Sequence, residues 1–225
     1  PQIWTSDDTD AIMRSGIQTS VSYGYPAASY TCHVSDVPNH QTLRSTPLET
    51  RYNIACFGCL GYEFNLCNMS EEALQAVREQ VAPYKKLRRL FQYGEFYRVR
   101  NDERIVQWTV VSEDKEEAVG LFFQKLVLPN DPTKWYKARG LAENKLYHFT
   151  NQFVQEQVQQ EEAAAIVLQD NFEAFTKGKQ EDEKEDCMVY GSGLMNAGVM
   201  LRQAFSGTGF NAQMRMFRDF SSRLY

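Results

Sequence analysis

Long uninterrupted apolar runs are missing from this sequence. The longest, Ile105 to Val111 and Val119 to Leu128, are too short and too interrupted to cross a hydrocarbon layer of about 30 Å, so no membrane span is expected. A basic surplus is missing too. The 24 Lys and Arg stand against 29 Asp and Glu for a net charge of −5, which argues against a nucleic-acid backbone as the main partner. The one basic group, Lys85-Lys86 with Arg88-Arg89, fits the solvated face of a helix. Cysteine is sparse and odd in number. Cys32, Cys56, Cys59, Cys67 and Cys187 are unevenly spaced, which suggests reduced thiols rather than a disulfide framework and leads to the expectation of a cytoplasmic protein. Cys56-Phe57-Gly58-Cys59 has the spacing of a redox pair or half a zinc site, but no second pair accompanies it and its flanks are apolar, so neither metal nor cofactor is expected. Pro1 is not followed by a basic, apolar leader, which says nothing of any residues before it. No repeat of solenoid or propeller period is present.

What is there fills one or two domains: 225 residues, 43% of them hydrophobic, can bury a real core. The opening stretch organises the rest. A short apolar run, Pro1-Gln2-Ile3-Trp4, leads into Thr5-Ser6-Asp7-Asp8-Thr9-Asp10 and then Ala11-Ile12-Met13-Arg14, which reads as strand, turn and helix start. Ser, Thr and Asp are preferred helix caps, so a purely structural role for this turn is a serious rival to a chemical one. Repulsion among three carboxylates in four positions favours a proton on one of them where water is excluded, and such a group is a general acid.

Downstream, a helix is predicted over 11–21, a strand over 30–34 and a long polar loop over 36–50. A helix-sized segment from Pro47 to Cys56 and a strand between Gly58 and Leu66 follow. The clearest helix begins at the cap Ser70, carries Leu74, Val77, Val81, Tyr84 and Leu87 at helical spacing, meets a kinking Pro83, and ends at Gly94. From Glu95 the pattern alternates, predicting strands over 95–111, 118–128, 135–141 and 145–149 and a strand-rich, glycine-punctuated tail from Met188 that ends in a strand over 214–224. A helix over 163–175 is suggested by composition alone, and the charged run 177–186 reads as a loop. Gly207-x-Gly209-x-x-Ala212 resembles a dinucleotide fingerprint but lacks its βαβ setting, so a tight turn is expected.

Ile3-Trp4-Thr5-Ser6-Asp7-Asp8-Thr9-Asp10-Ala11-Ile12, His33-Val34-Ser35-Asp36-Val37-Pro38-Asn39-His40-Gln41, Thr46-Pro47-Leu48-Glu49-Thr50-Arg51 and Phe57-Gly58-Cys59-Leu60-Gly61-Tyr62-Glu63-Phe64 together resemble the microbial α-galactosidases of glycoside hydrolase family 36. Tyr84-Lys85-Lys86-Leu87-Arg88, Gln92-Tyr93-Gly94-Glu95-Phe96-Tyr97-Arg98 and Gly207-Thr208-Gly209-Phe210-Asn211 extend the likeness nearly end to end. The resemblance implies the end of a (β/α)8 barrel over residues 1–94 and an antiparallel β-sandwich over 95–225. It also implies a retaining glycosidase acting on α-galactoside oligosaccharides of the raffinose and melibiose type, with a homo-oligomeric parent.

By the same resemblance, Asp7 matches the acid/base aspartate, the first acid of the family's Ser-Asp-x-Thr-Asp segment, and Trp4 and Ser6 fall where they would contact substrate. The family's nucleophile lies in a Lys-Trp-Asp segment upstream. The only Lys-Trp pair here, Lys134-Trp135, precedes Tyr136, so the nucleophile is expected outside this chain and the isolated chain is expected to be inactive. Asp8 and Asp10 read as capping and supporting groups, and His33 and His40 as loop residues that line a pocket or are satisfied by backbone. An α-N-acetylgalactosaminidase, a galactosyl-transferring relative and a non-catalytic sugar-binding or assembly module are the alternatives.

Overall fold

The computed structural model describes residues 2–129, 133–151, 184–202 and 219–225. Three parallel segments begin it. β1 (Thr31–Ser35) pairs in parallel with β2 (Cys59–Glu63), Thr31 opposite Cys59 and Ser35 opposite Glu63. On the other side of β1 the opening run is not a strand but a single parallel bridge, Ile3 to Tyr30, with Thr31 N donating to Ile3 O at 3.1 Å. Parallel neighbours require crossovers, and α1 (Ala11–Val21) and α2 (Leu48–Ala55) supply them. Side chains alternate along β1, so Cys32 and Val34 join the buried cluster of Tyr30, Ile54 and Phe57, while Thr31, His33 and Ser35 project to the other side.

α3 (Glu71–Tyr93) starts where Ser70 Oγ accepts from Ala73 N at 3.2 Å, passes through the buried Pro83, and stops at Gly94. It is fastened to the β2 region by two tyrosines: the Tyr84 hydroxyl donates to Gly58 O at 2.6 Å and accepts from Leu60 N at 3.1 Å, and the Tyr62 hydroxyl donates to Gln80 Oε1 at 3.0 Å.

An antiparallel sheet in the order β10–β5–β4–β3 follows, built from β3 (Glu95–Asn101), β4 (Ile105–Val111), β5 (Ala118–Gln124) and β10 (Ser221–Leu224). Every residue of β4 is buried, because both faces of the sheet are covered. Val106, Trp108 and Val110 face the helices of the first 94 residues. Ile105 and Val111 face two short ribbons, β6 (Trp135–Tyr136) with β9 (Val199–Met200) and β7 (Leu146–Thr150) with β8 (Asp186–Tyr190). The two polar residues on that second face are paired: Gln107 Nε2 donates to Trp135 O at 2.8 Å, and the Thr109 and Tyr136 hydroxyls lie 2.9 Å apart. Gly120 makes room for that tyrosine, since a Cβ there would stand 1.9 Å from the Tyr136 hydroxyl oxygen.

Several sequence expectations are corrected. The strand expected over 135–141 is only the pair Trp135–Tyr136, and β5 ends at Gln124. Gly191–Asn196 in the tail is a helix, α4, rather than alternating strand. Its Leu194 is buried in the second cluster, and Gly191 allows close approach, because a Cβ there would meet Ala142 O at 2.1 Å. Asp186 begins β8 instead of ending a loop. The expected helix over 163–175, the glycine turn 207–212 and the first part of the final strand lie outside the described residues.

Candidate active site

The loop between Ile3 and α1 sorts its own polar side chains. Asp10, almost wholly buried, has extended backbone and caps α1, its Oδ2 accepting from Met13 N at 3.3 Å and pairing with Arg44 Nη1. Asp8 Oδ1 accepts from Asp10 N at 3.0 Å, and Ser6 Oγ accepts from Asp8 N at 3.1 Å. These three side chains serve the turn itself. Asp7 does not. Its carboxylate is exposed, and its hydrogen bond is to a side chain: Trp4 Nε1 donates to Asp7 Oδ1 at 2.8 Å.

The long polar loop after β1 is tied to this turn. Asn39 Nδ2 donates to Thr9 Oγ1 at 3.2 Å, Ser35 Oγ donates to Thr9 O at 3.2 Å, and Arg44 reaches Asp10. Asn39 shapes its own loop by accepting from Gln41 N at 3.0 Å and Thr42 N at 2.9 Å. Arg51 on α2 closes the arrangement from below, donating to Ser35 O and, at 3.2 Å, to Thr46 O. Asn39, Arg44 and Arg51 were not singled out from the sequence. Only the Asn39 turn has a local signal there, since the others act on partners brought near by the fold.

Next to Asp7, Trp4 is 56% exposed and stands edge-on to His33, ring centres 4.4 Å apart and planes at 65°. His33, 8% exposed, places Nδ1 3.0 Å from Glu63 Oε2 at the end of β2, and Nε2 3.3 Å from Thr31 Oγ1. Burial holds the His33 imidazole below its usual range and the nearby Arg14 adds to this, while Glu63 opposes both. The folded protein therefore favours neutral His33, so its contribution to stability is complete above the unfolded value of about 6.5 and is lost as pH falls towards the lower folded one. An NMR titration of the imidazole carbon protons is expected to give His33 a midpoint below that of a free histidine; a midpoint above it would mean that the Glu63 pair dominates. His40 is exposed, outside this cluster.

Arg14, fully buried, braces the strands behind the cluster by donating to Thr5 Oγ1 at 2.9 Å and Thr31 O at 2.8 Å. The paired cysteines are not disposed for metal. Burial raises the Cys56 thiol, which donates to Asn53 O at 3.2 Å, and Cys59 Sγ lies 3.3 Å from Ala28 O. Among the described residues no group of three His, Cys, Asp or Glu is placed to hold a metal ion.

An exposed carboxylate just past a parallel bridge, in a turn whose other acids are structurally engaged, is an arrangement able to exchange a proton with a bound ligand. Known proteins agree with the sequence likeness. The Melibiase family pattern matches residues 1–94 and the glycosyl hydrolase family 36 C-terminal domain matches residues 105–225. The chain belongs to glycoside hydrolase family 36.

Among its relatives, the α-galactosidase AgaA of Geobacillus stearothermophilus is 41% identical over 149 residues, covering 65% of this chain and 20% of AgaA. The α-galactosidase Mel36A of Lactobacillus acidophilus is 46% identical over 120 residues, covering 53% of this chain and 16% of Mel36A. A crystal structure of the Lactobacillus brevis α-galactosidase superposes with a TM-score of 0.75 at 36% identity, covering all of this chain and 25% of the other. A variant of Geobacillus AgaA solved with raffinose gives 0.73 at 29% identity, again over 100% of this chain and 25% of that one. The chain thus spans about a fifth of the length of the curated relatives it matches.

Proposed function

We propose that this chain is the carboxyl-terminal part of a retaining α-galactosidase, with Asp7 as its acid/base. In this reading the Ile3 segment, β1 and β2 are the last strands of a (β/α)8 barrel whose chemistry sits at the carboxyl ends of the strands. The boundary falls near Gly94, and the four-stranded sheet with its two ribbons is the carboxyl-terminal sandwich. The observation that carries the reading is the exposure of Asp7 within its turn: Ser6, Asp8 and Asp10 are spent on holding the turn, whereas the Asp7 carboxylate faces outward and, among the described residues, meets only the Trp4 indole.

Asp7 protonates the departing glycosidic oxygen while a carboxylate outside this chain attacks the anomeric carbon, and then takes a proton from the water that releases galactose. A retaining pair stands about 5 to 5.5 Å apart, across the sugar. Glu63, the acid at the end of β2, is engaged by His33, so within this chain it is not a free partner. The isolated chain therefore does not hydrolyse glycosides. The exposed Trp4 indole offers a face for the apolar side of the sugar and Ser6 lines the same turn. Raffinose-type oligosaccharides are the proposed substrates, supported by the AgaA structures solved with raffinose and stachyose. All five cysteines are free, which supports a reducing compartment.

The test is Asp7→Asn in the full-length protein with substrates of good and poor leaving groups. Loss concentrated on poor leaving groups supports the assignment, and unchanged cleavage of them overturns it.

A further inference from the structure

Resting on that reading of Asp7, we infer that Trp4 is a positioning residue for the acid/base carboxylate, and that His33 and Glu63 hold Trp4 in place. A carboxylate four residues beyond a one-residue bridge, on an exposed loop, has several rotamers open to it. A general acid is effective only when its proton points at the departing oxygen, so that freedom costs rate. The indole N–H removes it by donating to Asp7 Oδ1 at 2.8 Å, which leaves Oδ2 to carry the transferable proton.

The donor is itself held. The Trp4 ring stands edge-on to His33, whose Nδ1 is 3.0 Å from Glu63 Oε2, so the line from β2 to Asp7 runs through three side chains on neighbouring parallel segments. Neutral His33 with its proton on Nδ1 donates to Glu63 and keeps a fixed ring orientation, which the burial that disfavours the imidazolium promotes. This gives Trp4 a role through its edge in addition to any stacking of its face on the sugar. The two roles are separable because Phe keeps a face and lacks the N–H.

The experiment uses the full-length protein in four forms: native, Trp4→Phe, Asp7→Asn, and both together. The readouts are kcat/KM on raffinose and on a dinitrophenyl galactoside, whose departure needs no protonation. Trp4→Phe is expected to lower kcat/KM on raffinose by about tenfold or more beyond its loss on the activated substrate, because both substrates share the sugar contact and only raffinose needs the proton delivered. In the Asp7→Asn background the Trp4→Phe loss on raffinose should shrink to the loss seen on the activated substrate, since the part that acts through Asp7 has gone. Equal losses on both substrates, or a full Trp4→Phe loss persisting without Asp7, would overturn the inference and leave Trp4 as a sugar platform alone. The acid/base assignment is judged separately by the Asp7→Asn form, whose leaving-group dependence does not involve Trp4.

Discussion

Replacing Asp7 by Asn in the full-length protein should reduce kcat/KM on raffinose by about 10²- to 10⁴-fold, the usual worth of a positioned general acid. The amide keeps the size of the side chain and its carbonyl can still accept from Trp4 Nε1, so the loop closed by Ser6, Asp8 and Asp10 has no reason to change. What disappears is the transferable proton. A dinitrophenyl galactoside, whose leaving group departs as a stable anion, should keep kcat/KM within about tenfold because that ratio reports the first chemical step. Its kcat should still fall, since the second step needs a base to activate water. A uniform loss across both substrates in kcat/KM would assign Asp7 to substrate binding.

The largest effect on the fold is expected at Trp108. It is fully buried in the middle of β4, edge-on to Phe57 at 5.3 Å and Phe96 at 5.5 Å, and its Nε1 donates to Thr19 Oγ1 at 3.2 Å on α1. One side chain therefore joins the sheet to both the strand region and the helices of the first 94 residues. Trp108→Ala should cost about 3–5 kcal/mol, the range for emptying a large aromatic site. Trp135, 48% exposed on the outer ribbon, is the control: Trp135→Ala should shift a urea midpoint only slightly. Comparable shifts for the two would mean that the sheet does not depend on the Trp108 contact.

Much of the fold could be read from local signals. The helix over 11–21, the Ser70 cap and the Gly94 stop depend on side chains within a turn of the boundary, and all three stand as read. Strand extents were less legible where tertiary contacts decide them. Residues 105–111 look half alternating because Gln107 and Thr109 interrupt the apolar pattern, yet both are buried and paired with residues about 28 positions away. Gly191–Asn196 resembles a turn-rich strand by composition, and only the closeness of Ala142 explains its glycine. The site divides the same way. Asp10 as a cap is visible from its spacing to Met13, whereas Arg44, Asn39 and Glu63 reach their partners through crossovers that no short motif encodes.

The central claim, that Asp7 is the acid/base of a retaining enzyme, is tested most directly by the anomeric configuration of one product. In Asp7→Ala of the full-length protein, an activated aryl α-galactoside still forms the covalent intermediate, and azide, which needs no deprotonation, enters the space left by the carboxylate. Rescue of turnover with release of α-galactosyl azide is the expected result. Absence of rescue, or release of β-galactosyl azide, which would place Asp7 on the nucleophile's side of the ring, would contradict it.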